Sequence, residues 1–213
     1  MPDSTLAQIF IALVVLLFSL TVHESAHAWT ADRLGDPTGR LLGRVSLNPL
    51  VHIDPIGTLV FPIIAALSGV PLIGWAKPVP VNLGALPRGR RDFMLVAAAG
   101  PCSNLLIAGV AAAGLRVLPW LPASAGEVEL AGPLVMLAAR TLELNVLLAV
   151  FNLVPVPPLD GGNVLWGLLP ERAAYRLDQL RPYSFVLIYA LVFSGWLSPL
   201  ITRPYHLILS WLL

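Results

Sequence analysis

The chain is short of charge. Only 13 of 213 residues are Lys or Arg and 12 are Asp or Glu, a charged share of 12% that is about half that of an average soluble domain. With 57% hydrophobic residues and a mean hydropathy of +0.80, this excludes an ordinary soluble fold and points to an all-α polytopic membrane protein. The net charge is +1 and no basic stripe runs along any segment, which argues against a nucleic-acid partner. A single cysteine, Cys102, rules out an internal disulfide, and its apolar neighbours predict a small buried thiol. The start, Met1-Pro2-Asp3-Ser4, carries no basic residue, and the apolar run behind it is longer than a signal-peptide core. Ala26-His27-Ala28 is therefore not read as a cleavage site.

What the chain has instead is long apolar runs. Residues 6–22 are interrupted only by Gln8, Ser19 and Thr21, which predicts a membrane-crossing helix capped by Asp3 or Ser4 and ending near Gly35-Asp36-Pro37. At the far end of this run stands His23-Glu24-Ser25-Ala26-His27. Positions four apart share a helix face, so His23 and His27 can aim their imidazoles at one metal ion. Glu24, one step around, is near enough to reach a water at that metal. Ionisable groups in an apolar segment are costly unless they have a partner or a task. A harmless position at the membrane surface is the plainer alternative for this motif, and a third ligand decides between them.

Residues 44–54 place Val45, Leu47, Val51 and Ile53 on one side and Ser46, Asn48, His52 and Asp54 on the other. This predicts a short membrane-associated β edge or hairpin, confined to an edge by Pro49. His52 and Asp54 share a face that either bears on the site or is an ordinary surface pair. Residues 56–73 are apolar but broken by Gly57, Pro62, Gly69 and Pro71, and residues 75–82 are extended, with prolines that forbid a central strand. Residues 93–118 form a second span, rich in Ala and Gly, as suits a helix in the middle of a bundle; Asn104 is its notable polar residue. Residues 130–154 form a third, in which Arg140 and Glu143 neutralise one another. This span runs into Asn152-Leu153-Val154-Pro155-Val156-Pro157-Pro158-Leu159-Asp160-Gly161-Gly162. Its prolines break the helix, so that Asp160 is presented by an unwound segment at membrane depth. Residues 183–197 give a further span, and 205–213 are too few to cross alone.

Basic residues gather in 33–92 and 171–181, while 119–129 has none. The positive-inside rule puts the first two regions in the cytoplasm. The first and third spans then run the same way, bringing His23, His27 and Asp160 to one cytoplasmic depth, and 56–73 must enter and return on the same side. Two histidines and a carboxylate with an open fourth position suit a catalytic Zn2+, one per chain. With Glu24 as the group that takes and passes on a proton, the expected chemistry is amide hydrolysis, with Asn152 or His52 as oxyanion donor. A transmembrane substrate has its amides locked in a helix, and an exposed edge at 44–54 can hold it unwound by strand addition.

The chain resembles the site-2 protease family of intramembrane zinc metalloproteases. The resemblance rests on His23-Glu24-Ser25-Ala26-His27, on the pattern from Asn152 to Gly162, and on Gly100-Pro101-Cys102-Ser103-Asn104, and it covers the chain to about Gly162. It implies that His23, His27 and Asp160 are zinc ligands, that Glu24 is the general base and that Asn152 binds substrate backbone or oxyanion. Asn104 is either part of the site or an interhelical hydrogen bonder. His52 and residues 75–82 look like features of small bacterial or archaeal members. The expected protein is a single domain over 1–213, with a core of 4–162 and C-terminal spans in 183–213. It would lie in the cell membrane with its site toward the cytoplasm, and act on a transmembrane protein; a homo-oligomer is left open. The chain has no room for the PDZ or CBS domain common in the family. Competing readings are a metal transporter, which would want polar groups on both sides of the midplane, and a catalytically silent scaffold.

Overall fold

The computed structural model describes residues 5–61, 64, 75–118 and 127–213. Its long helices are α1 (Thr5–Arg33), α3 (Arg90–Val117) and α4 (Glu127–Asn152), with α2 (Thr38–Leu41) a single turn after α1. Four shorter helices follow: α5 (Asp160–Leu168), α6 (Glu171–Asp178), α7 (Ser184–Phe193) and α8 (Leu197–Leu212). Among the described residues, three helices are long and apolar enough to cross a membrane, over Gln8–Arg33, Arg90–Val117 and Gly132–Asn152.

Their outward faces are of lipid type. Leu106 and Val110 on α3 are 72% and 74% exposed, and Phe10 and Phe18 on α1 are also bare, an apolar surface that water would not tolerate. Cys102 lies on such a face and is exposed, not buried as its neighbours suggested. Apolar flanks mark a membrane helix but do not say which side of it meets lipid.

The inward faces are narrow. Helix α3 packs against α1, α4 and α5, and Ala97, Gly100, Ala108, Ala111 and Ala112 lie buried along it. Without bulky side chains the backbones come close, and packing plus interhelical hydrogen bonds replace the hydrophobic effect that lipid removes. Ala108, Ala111 and Ala112 meet Leu142, Val146 and Val150 of α4 in one cluster. Bonded pairs show the order: His27 meets α3 at Val96 and His23 meets it at Asn104, so α1 and α3 run antiparallel. Ser19 and Asn104 both reach Asn145 on α4.

Helix α1 stops where Gly35 takes φ +112°, with Asp36 N–H donating to Ala31 O and Gly35 N–H to Asp32 O, a Schellman cap. The predicted β edge over 44–54 is not formed. Asn48 caps a 3-10 turn, Pro49–Val51, by accepting from Leu50 N–H, and His52 N–H donates to Pro49 O. Local bonds to Asn48 and Pro49 satisfy the backbone that a strand would have paired, and no strand occurs among the described residues. Asp54 caps a π-helical turn, Pro55–Val60. Most of the predicted re-entrant stretch 56–73 lies outside the described residues, as do the loop 119–126 and the cap positions Asp3 and Ser4.

Two further expectations change. Asp160 does not sit in an unwound piece of a broken span: α4 ends at Asn152, a turn follows, and Asp160 is the first residue of the separate helix α5. The prolines set the turn, and Gly161 and Gly162 let the new helix seat against it. A Cβ on Gly161 would fall 2.2 Å from Leu153 O, and one on Gly162 2.5 Å from Pro157 N. Nor is 183–197 one span. Helix α7 ends at Phe193 before Gly195 at φ +77°, and α8 departs at a 77° bend from the α6–α7 segment. Ten residues of α7 reach only about 15 Å, half a hydrocarbon core.

Candidate metal centre

His23 and His27 lie one turn apart on α1 and face the N-terminus of α5. His23 Nε2 is 3.1 Å from Asp160 Oδ2, His27 Nε2 is 3.4 Å from the same oxygen, and the two Nε2 atoms are 3.1 Å apart. Zinc bonds of about 2.0–2.1 Å in a tetrahedron set ligand atoms about 3.3 Å apart, so the three atoms sit at the edge lengths such an ion requires.

Hydrogen bonds on the other ring nitrogens fix what faces inward. His27 Nδ1–H donates to Val96 O at 2.7 Å and His23 Nδ1–H to Asn104 Oδ1 at 2.6 Å. With the protons on Nδ1, both Nε2 atoms present lone pairs to one another and to Asp160 Oδ2. That oxygen is buried and has no hydrogen-bond partner. Three electron-rich atoms within 3.1–3.4 Å repel unless a cation stands among them, and the donor set fits zinc.

Room for the imidazoles comes from Gly100 on α3. A Cβ there would lie 2.4 Å from His27 Nε2 and 2.6 Å from His23 Nε2. Helix α5 is held to α3 from its other end, where Arg90 Nη1 donates to Trp166 O and Leu169 O, and where Gly167 admits Met94.

The three side chains open on a cavity of about 430 Å³ whose lining is mainly apolar. Glu24 lines it, half-buried and without a hydrogen bond among the described residues. Asn152 lines it too, from the last turn of α4, with one amide hydrogen on Leu148 O at 2.9 Å. Trp75, Ala76, Pro78, Val79 and Val81 of the extended segment 75–82 form one wall, and Phe185 and Ile188 of α7 close another.

His52 is not part of this site. It is buried, and its Nε2 meets Ser46 O at 2.9 Å and Ser25 Oγ at 3.3 Å, pinning the loop before it to the back of α1. Asp54 is spent on its cap. Asn104 does two things at once, accepting from His23 and donating to Asn145 Oδ1 at 2.9 Å. Sequence reading gave Asn145, Ser19 and Val96 no part. Asn145 and Ser19 were visible as polar residues within apolar runs; Val96 acts through its carbonyl, which leaves no trace in sequence.

Comparison with known proteins gives the family. The model of "Peptidase family M50" matches residues 123–194. YwhC of Bacillus subtilis, named as a candidate zinc metalloprotease, is 35% identical over 84% of this chain and 78% of its own. Rip2 of Mycolicibacterium smegmatis, named likewise, is 31% identical over 99% of this chain and 75% of its own. The chain belongs to peptidase family M50, the site-2 protease family of zinc metalloproteases. No solved structure matches it at a significant level.

Proposed function

We propose that this chain is an intramembrane protease, a single multi-pass domain over 1–213 in the cell membrane, that cuts peptide bonds in the membrane-spanning segments of other proteins. His23, His27 and Asp160 would hold the zinc, with the site toward the cytoplasmic side. The observation that carries this is the meeting of two Nε2 lone pairs and an orphaned carboxylate oxygen within 3.1–3.4 Å, beside the Glu24 carboxylate on the same membrane helix as the two histidines. Zinc held there supplies Lewis acidity toward water and a substrate carbonyl. Glu24 takes the proton of the attacking water and returns it to the departing amide nitrogen. Asn152 keeps a second amide hydrogen besides the one on Leu148 O, free to donate to substrate backbone or oxyanion. The apolar lining keeps bulk water from a substrate segment. Aligning that segment falls to the extended wall at 75–82, since 44–54 offers no strand and His52 no donor to the cavity.

The test is zinc content together with cleavage of candidate single-span proteins. Glu24→Gln is expected to keep one zinc per chain and to lose about 10²–10⁴-fold in cleavage rate. Cleavage undiminished in that variant contradicts the assignment of the base.

A further inference from the structure

The hydrogen bonds behind His23 continue across three helices and end on a group whose polarity is fixed. Asn145 Nδ2 donates to Thr141 O, one turn back on α4, at 2.8 Å, and to Ser19 Oγ at 2.8 Å. A backbone carbonyl only accepts, so the amide of Asn145 has one orientation, with Oδ1 turned to α3. There it accepts from Asn104 Nδ2 at 2.9 Å, which turns Asn104 Oδ1 to His23 Nδ1 at 2.6 Å. That acceptor requires the proton on Nδ1 and leaves Nε2 bare. Asn104, Asn145 and Ser19 are all fully buried, so water cannot take the place of any link.

The geometry assigns Asn145 as a positioning residue for the metal centre: through Asn104 it sets the tautomer and ring orientation of His23. This rests on His23 being a zinc ligand. The chain works by exclusion. With Asn145 absent, the Asn104 amide can turn over and present Nδ2 to His23, which favours the tautomer with its proton on Nε2, where the metal would bind. Ser19 adds a second acceptor but leaves the orientation to Thr141 O. A span therefore carries an asparagine whose effect is felt on another helix, two hydrogen bonds away.

The test is the zinc dissociation constant of the full-length protein in detergent, by competition with a chelator. Asn145→Leu is expected to weaken zinc binding about ten-fold. Asn145→Asp, kept neutral by burial, donates its carboxyl proton to Thr141 O and keeps an acceptor facing Asn104, and is expected to stay within about three-fold of wild type. Asn104→Leu and the double variant Asn104→Leu/Asn145→Leu are expected to be alike, because the two residues act through one contact. Val146→Ala, a fully buried neighbour on α4, loosens packing alone and is expected to stay within about two-fold. Should Asn145→Leu fail to fold, Asn145→Thr replaces it. Its hydroxyl retains the Thr141 O bond yet is too short to reach Asn104, and the same ten-fold loss is expected. An Asn145→Leu or Asn145→Thr protein with wild-type affinity, or losses that multiply in the double variant, overturns the assignment. If His23→Ala itself leaves zinc affinity unchanged, the failure lies with His23 as a ligand, and the positioning role falls with it.

Discussion

Gly100 lies against the paired imidazoles, and its missing side chain is what lets α3 pass them. A Cβ would stand 2.4–2.6 Å from His27 Nε2 and His23 Nε2, nearer than any real contact. The far ends of those rings are tethered to Val96 and Asn104, so they cannot retreat. Gly100→Ala is therefore expected to cost about 1–3 kcal/mol of stability through overpacking and at least ten-fold in zinc affinity, about the loss that follows a disturbed ligand. Thermal denaturation and chelator competition on one preparation measure both; unchanged affinity would mean that the rings have other positions open to them. At this scale the sequence was readable where chemistry repeats with helical period. His23, Glu24 and His27 declare themselves by spacing, and Asp160 by its place after the prolines. Asn145 did not, because a polar residue in an apolar run names no partner, and its link to Ser19 spans 126 positions. His52 misled because alternation over 44–54 resembled a strand, whereas Asn48 and Pro49 curl the chain locally.

Between residue and molecule, Asp36 joins the end of α1 to the wall of the cavity. It is fully buried, accepts from Thr38 N–H and Thr38 Oγ, and takes Asn82 N–H at 2.6 Å. Burial opposes its ionisation, but the hydrogen bonds from Thr38 and Asn82 outweigh it and hold its pKa below the ordinary carboxylate value of 3.8. A carboxylate with a depressed folded pKa contributes stability above its unfolded pKa and loses it as pH falls through the folded one. Attachment of segment 75–82 is thus expected to be full at neutral pH and to weaken only below about pH 4. Asp36→Ala is expected to cost roughly 2–3 kcal/mol at pH 7 and to expose the peptide bond between Trp75 and Ala76 to chymotrypsin. Chymotrypsin resistance equal to wild type would show that other contacts hold the wall.

Helix α5 depends in the same way on Gly161, since Leu153 O and Val154 O lie 2.2 and 2.5 Å from where its Cβ would be. Gly161→Ala has only backbone to push against. It is expected to shift Asp160 and lower zinc occupancy while Glu24→Gln does not, and metal analysis of the two variants side by side distinguishes them. The helices of this core were legible from apolar runs, and their ends from Gly35 and from the prolines after Asn152. The division at Gly195 was not, because a lone glycine in an apolar run is equally common inside a membrane helix.

For the molecule as a whole, the distribution of arginine predicts that the ends of α1 and α4 nearest the site face the cytoplasm. Cys102 is the chain's one thiol. With it replaced by Ala, a cysteine at Arg91 is expected to react with an impermeant maleimide in inside-out vesicles and not in intact cells; the reverse pattern would turn the site to the other side. Helices α1 and α4 run parallel, in contact with one another and both packed on α3, which is how positions more than 130 residues apart reach one depth. Composition and charge asymmetry conveyed this much of the architecture; the close passage of α3 depends on contacts that no local pattern encodes. The most direct measurement is the zinc content of the purified wild type beside Asp160→Ala. One zinc per chain in the first and almost none in the second is the expected result. Full occupancy after Asp160 is removed would show that the two histidines and this carboxylate do not share an ion.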